Sequence, residues 1–251
     1  MIAIMKLKGL DAEAISKALL EQLRRLKIDI KESLFAFGSD GASVMRGENG
    51  VGRMVETEVQ HDLIVLHCMC HVQALSAKEG VKSSILAQTV EDLMRTIASD
   101  FSKSPKKCCR FEDIQEEWKQ KILKMLKKHE VRWLSREALA KRIVVRLPAL
   151  FQFYLEQQRD ENSSRYKAIA SYSKLKFLHI LIDILGPVMH MNRAAQKTHI
   201  AMDELFDTID SSLEVLKKLK TQRGTFEEKF DNQIEKRQMK NANDEVYDTE
   251  Y

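Results

Sequence analysis

Proline and glycine are scarce in this chain, three and nine residues out of 251. Both punctuate chains at tight turns, so their scarcity argues against many short strands and for long helices. Cysteine is scarce too: Cys68, Cys70, Cys108 and Cys109 are the four. Adjacent Cys108 and Cys109 make an awkward disulfide pair, and nothing else suggests a secreted scaffold, so a reducing compartment is expected. Long apolar runs are missing. The opening MIAIMKLKGL is apolar but far too short to span a bilayer, and it has no small-residue cleavage site. A dominant charge sign is missing as well, with a formal net charge of only +4. Its distribution therefore matters more than its sum. No internal repeat is present.

What the chain does contain is an ordinary globular composition, 44% hydrophobic and 31% charged. It is long enough for one large domain or two small ones with a real core. Residues 102–147 carry fourteen Lys/Arg against six Asp/Glu, and residues 225–251 carry four against eight. The middle is basic and the tail acidic.

Residues 1–7 alternate loosely and fit a strand. Asp11 begins a helix on which Ala12, Ile15, Ala18, Leu19 and Leu23 recur at helical spacing. Residues 34–37, Leu-Phe-Ala-Phe, form an apolar run that reads as a short buried strand. This strand–helix–strand order is a βαβ unit with a right-handed crossover. Residues 48–58 read as a helix, and 64–66 as a third strand delivering His67 and Cys68 at its end. Asp40 and Cys68 are thus expected at the carboxyl edge of one sheet. Open α/β sheets place metal and substrate sites there. The alternative is that Asp40-Gly41 is only a turn pair.

Beyond that edge the pattern is helical. Residues 71–98 read as continuous helix with Leu75, Val81, Ile85 and Leu93 as core positions. Ser102-Lys103-Ser104-Pro105 breaks the pattern. Residues 111–129 resume it, with Ile114, Trp118, Ile122 and Met125 or Leu126 on one face. Ser135 is placed to cap a helix through Ala138, Ile143 and Leu147. Residues 177–191 are apolar and interrupted only by Gly186-Pro187, and 203–219 form another helix. From residue 221 the sequence has little to bury, so a frayed helix and disorder are expected. The implied division is a core over 1–100, a helical region over 101–220 and a charged tail over 221–251.

Three motifs, taken in order, resemble one family. They are Ser39-Asp40-Gly41-Ala42-Ser43-Val44-Met45 with Gly47 and Asn49-Gly50-Val51, then Leu66-His67-Cys68-Met69-Cys70-His71, then Arg132-Trp133-Leu134-Ser135-Arg136. Together with residues 187–196 they resemble the hAT (hobo–Activator) transposases, in particular vertebrate host-domesticated relatives fused to zinc fingers. The resemblance runs from about Ile4 to about His199.

It implies a ribonuclease-H-like fold in which three acidic residues hold two metal ions. Two metals suit phosphoryl transfer because one activates the attacking oxygen and the other steadies the leaving one. Asp40 matches the second acid, a remnant of the catalytic triad and the single candidate metal ligand. The first acid belongs upstream of the region matching residues 1–7, and no context for the third is found before Tyr251. No cofactor is expected, and Mg²⁺ only as part of a complete transposase.

Cys68 and His71 fit the family's Cys-x-x-His motif, which the resemblance places beside the active site. A zinc site built from His67, Cys68, Cys70 and His71 is poorly spaced, since four such neighbours cannot easily face one tetrahedral ion. The alternative for Cys68 and His71 is a buried thiol and a hydrogen-bonded imidazole. Arg132 offers a guanidinium to phosphate and Trp133 an indole for stacking on a base. The alternative is a core Trp133 and a surface ion pair at Arg132. Lys124, Lys127 and Lys128 lie in the basic run, which reads as a phosphate-binding face or as a solvated helix surface.

The expectation is therefore an α/β protein: an incomplete ribonuclease-H-like sheet followed by a mostly α-helical insertion region. Its function would be nucleic-acid or chromatin-associated binding in the nucleus, with the cytoplasm as the alternative and secretion not expected, with DNA as partner, no membrane, and protein partners unspecified. Two alternatives stand beside it. One is a fragment of an active metal-dependent transposase; the other is a helical protein–protein interaction module.

Overall fold

A computed structural model describes residues 7–126, 136–157, 163–197 and 199–237. The chain divides into two compact units, residues 1–76 and 77–251. The expected boundary at residue 100 instead falls inside a helix.

In the first unit Asp11 caps α1 (Ala12–Arg25), its Oδ1 accepting from the Ala14 amide at 2.8 Å. Asp29 caps a single turn, α2 (Ile30–Ser33), by accepting from the Lys31 and Glu32 amides. That turn takes Leu34 out of the strand predicted over 34–37, because the Leu34 amide still bonds back to the Ile30 carbonyl at 3.2 Å. Strand β1 consequently occupies Ala36–Ser39. After α3 (Val51–Val59) comes β2 (Ile64–His67). The two strands are parallel, in register from Ala36 opposite Ile64 to Ser39 opposite His67. Parallel neighbours need a crossover, and α3 supplies it.

The core of this unit is Leu20, Ile30, Val51, Val55, Val59 and Leu63, with Leu34 and Phe37 packed against it. The strands are not buried as expected: Phe35, Ile64, Val65 and Leu66 are all exposed. A helical layer covers one face of a sheet, and an apolar run alone does not say whether the other face has a partner. The strand expected over residues 1–7 lies, but for Leu7, outside the described residues.

The second unit is helical. The predicted helix 71–98 is two helices, α4 (Met69–Lys82), which straddles the boundary between the units, and α5 (Ile85–Ser102). The Ser84 hydroxyl caps α5 by accepting from the Ala87 amide. Ile85 then sits 84% exposed and Leu75 is exposed too, while Leu93 is buried. Helix α6 (Pro105–Glu117) starts where Ser104 caps it and Pro105 takes its first position. It ends well before residue 129. Lys119 adopts φ +52°, and the buried Gln115 accepts from the Leu123 amide at 3.0 Å, so the chain turns back along the helix.

Helices α7 (Arg136–Val145) and α8 (Leu147–Glu156) follow, broken apart ahead of Pro148. The cap proposed at Ser135 lies outside the described residues. Helix α9 (Ser163–Ile169) leads into α10 (Tyr172–Ala195), which runs on through Pro187. Helices α7, α11 (Met202–Lys218) and α12 (Thr225–Arg237) pack on α10. Among the described residues no helix is long and apolar enough to cross a membrane.

The core runs from Ile97 and Phe101 on α5 through Phe111 and Phe153 to Leu178 and Ile182 on α10. Phe101 meets the Phe111 and Phe153 rings at 4.7 and 5.0 Å between centroids. The tail from residue 221, expected as a frayed helix and disorder, contains α12, which is anchored rather than frayed, with Phe230 buried against Tyr172 and His179. Two aromatic residues, Phe226 and Phe230, hold this charged helix on the core, and composition averages them away.

Buried carboxylates tie the helices together. Asp100 accepts from Lys107 at 3.1 Å, Arg165 at 2.6 Å and the Tyr154 hydroxyl at 3.1 Å. Glu137 pairs with Lys141 and Arg193, and Asp231 with Lys176 and Arg223. Each buried anion thus has two cations, as desolvated charge requires.

Candidate functional site

The carboxyl ends of β1 and β2 bring the first two motifs together. The Cys68 amide donates to the Ser39 carbonyl at 2.7 Å, continuing the ladder past both strands. Asp40 is exposed immediately after β1. Its Oδ1 accepts from the Ala42 amide at 3.0 Å, the geometry of an Asx turn. Gly41 has φ +76°, and a Cβ built there would lie 2.2 Å from His67 Nε2. The glycine is therefore required by both its backbone angle and its contact.

His67 fills that space. Its Nε2–H donates to the Asp40 carbonyl at 2.8 Å, while Nδ1 faces the Arg46 guanidinium at 3.4 Å. A guanidinium only donates, so these two partners select the neutral tautomer protonated at Nε2. The His71 ring lies 5.6 Å from the His67 ring. Cys68 is exposed and carries a free thiol. The expectation of a buried thiol there fails because the residue lies past the end of an open sheet.

The donors at this edge do not fit a two-metal centre. Asp40 contributes one carboxylate, already engaged in its own turn, whereas hard divalent cations need several anionic oxygens. Among the described residues, no group of three His, Cys, Asp or Glu side chains is arranged to hold a metal ion.

The basic run looks different in three dimensions. Lys107 neutralises Asp100, Arg110 bridges Glu117 and Glu156, Arg136 meets Glu91 at 2.9 Å, and Lys141 serves Glu137. Arg142 and Arg146 donate to the backbone carbonyls of Lys124 and Lys121. Much of the positive excess is therefore internal cement. Lys124 is 83% exposed and lies 3.7 Å from Glu112, a loose pair. Lys127, Lys128, Arg132 and Trp133 lie outside the described residues.

Among the described residues, the second unit includes two further concavities. One, of about 220 Å³, lies among α10, α11 and α12. Its Asp183 is spent as a cap, accepting from the Phe226 and Glu227 amides at 3.0 Å. The other, of about 390 Å³, is lined by Lys78, Lys82, Gln88, Glu91, Asp92, Arg95 and Arg136. Sequence reasoning missed it because its cations are spread over α4, α5 and α7. The signal was the i, i+4 spacing of Lys78 and Lys82 and of Gln88 and Asp92, read across a helix break rather than along a charge run.

No protein-family model matches this chain, and no solved structure matches it.

Proposed function

We propose that this chain is a transposase-derived nucleic-acid-binding protein of the hAT type, nuclear, and not itself a strand-transfer enzyme. In this reading the first unit is part of a ribonuclease-H-like sheet, and the helices that follow correspond to the family's insertion region. The observation that carries the reading is the shared end of β1 and β2. There the Ser39–Met45 motif and the His67–His71 motif, 22 residues apart between Met45 and His67, lie side by side around the His67–Asp40 hydrogen bond. Asp40 is the one position matched to the family's three acids, so charge for two Mg²⁺ ions is lacking in the chain itself. In this reading Arg132 and Trp133 are assigned phosphate and base contacts, and Lys124, Lys127 and Lys128 further phosphate contacts.

The test is a salt series with duplex and single-stranded oligonucleotides, run beside a strand-transfer assay in Mg²⁺ and Mn²⁺. Binding is expected to be weak, tolerant of sequence and linear in log salt. The triple substitution Lys124→Glu/Lys127→Glu/Lys128→Glu, or Arg132→Ala, should weaken it. An affinity that does not respond to salt refutes the binding role. Strand transfer that vanishes in Asp40→Asn refutes the non-catalytic one.

A further inference from the structure

We propose that the cleft formed by the C-terminal end of α4, the first half of α5 and Arg136 is a phosphate-reading site for one nucleotide of a bound strand. The proposal rests on the nucleic-acid-binding role above, but on different residues.

Its lining carries four cations, Lys78, Lys82, Arg95 and Arg136, and two carboxylates, Glu91 and Asp92. The charges are held in two ways. Arg136 and Glu91 form the floor, an ion pair at 2.9 Å with side chains only 15% and 12% exposed. Burial lowers the proton affinity of Arg136 despite the neighbouring Glu91, so further negative charge beside it is favourable. The rim is exposed. Lys82 pairs with Glu79, and Arg95 with Asp92, each at i, i+3 spacing. Such exposed pairs contribute little, and a phosphate can take over their cations at small cost.

The geometry is set before any ligand arrives. Gln88 Nε2 donates to the Lys82 carbonyl at 2.8 Å and pins the end of α4 to α5. Lys78 and Lys82, one helical turn apart, then stand on the same face, roughly 6 Å apart at Cβ.

A second observation narrows the ligand. Among the described residues, Glu91 Oε2 is buried and has no hydrogen-bond partner. A buried acceptor left open costs free energy and calls for a donor. A fully ionised inorganic anion such as sulfate brings none. A nucleotide brings its phosphate to the rim cations and a sugar hydroxyl or base amino group to Glu91.

The test uses the full chain and a fluorescent single-stranded oligonucleotide in a salt series. Three forms are compared: wild type, Lys78→Gln/Lys82→Gln, and Lys217→Gln/Lys218→Gln, the last pair being exposed on α11. The cleft variant should lose affinity, and its log K against log salt slope should fall by about 0.7, the value for one lost phosphate contact on a single strand. The α11 variant should keep the wild-type slope. Equal slopes in wild type and cleft variant overturn the cleft and leave the binding role intact. Equal losses in both variants reduce the effect to net charge and also overturn it. No binding by wild type removes both readings. A fourth form, Glu91→Gln, keeps the size of the floor and turns one acceptor into a donor. It should weaken oligonucleotide binding more than binding of a poly-glutamate competitor. The opposite order would assign the cleft to an acidic peptide and overturn the nucleotide.

Discussion

At the scale of single residues, Gly41 and His67 depend on each other. A side chain at position 41 meets the imidazole that bonds the Asp40 carbonyl, and φ +76° is itself unfavourable for an L residue by about 1–2 kcal/mol. Gly41→Ala should therefore destabilise the first unit by roughly 2 kcal/mol or more. Gly38, with open space around it, is the control. Denaturant unfolding of both variants checks this, and equal stabilities would refute the coupling. His179 makes a different residue-scale prediction. It is buried against Phe230, and its Nδ1–H donates to the Leu175 carbonyl at 2.7 Å. Burial pulls its proton affinity below the ordinary value of 6.5, and the Leu175 bond, Asp183 and Asp231 only partly oppose this. Below that pH the unfolded chain takes up a proton that the folded chain refuses. Stability is therefore full above about 6.5 and falls on acidification, by at most about 1.4 kcal/mol per pH unit. His179→Gln should flatten that part of the profile between pH 7.5 and 5.5. An unchanged profile would mean that another group governs it.

Among the elements, α12 shows most clearly how context overrides composition. Its sequence is charged, yet Phe230 enters the core and Asp183 of α10 caps its first turn across the fold. Gly224 makes that approach possible, since a Cβ there would lie 2.3 Å from the Asp183 carboxyl. Asp183→Ala should cost about 1–2 kcal/mol, the usual value of a cap. Amide exchange should accelerate in α12 while α5 and α8 keep their protection. Unaltered exchange in α12 would show that Phe226 and Phe230 alone secure it. The end of α6 follows the same logic. Helical periodicity continues past Trp118, but Gln115 and Lys119 fold the chain back. A buried glutamine answering a backbone amide eight residues on leaves no periodic trace.

For the whole molecule, the exposed strands matter most. Phe35, Ile64, Val65 and Leu66 are apolar side chains left exposed on or next to a short parallel pair, and among the described residues neither strand has a second strand partner. Open edges and exposed apolar surface promote association. The purified chain should therefore self-associate in sedimentation velocity, and Ile64→Lys/Leu66→Lys should shift it towards monomer. A wild-type chain that stays monomeric at high concentration would show that these side chains are covered.

The sequence by itself determined the local signals. Asp11 marks the start of α1, Ser102-Lys103-Ser104-Pro105 marks the break after α5, Asp40-Gly41 marks a turn after a strand, and the 64–66 run marks β2; each depends on neighbours within a few residues. It also carried the two motifs that meet at the sheet end, because parallel strands joined by one helix must bring their carboxyl ends together. The tertiary structure decided which charges are free. Lys107, Arg136 and Lys141 look like a surface stripe in the sequence, but desolvated Asp100, Glu91 and Glu137 claim them. It also decided that Lys78, Lys82, Arg95 and Arg136 share one cleft. Coulomb attraction acts through space, and a charge run counted along the chain does not record which opposite charge folding has placed beside each residue.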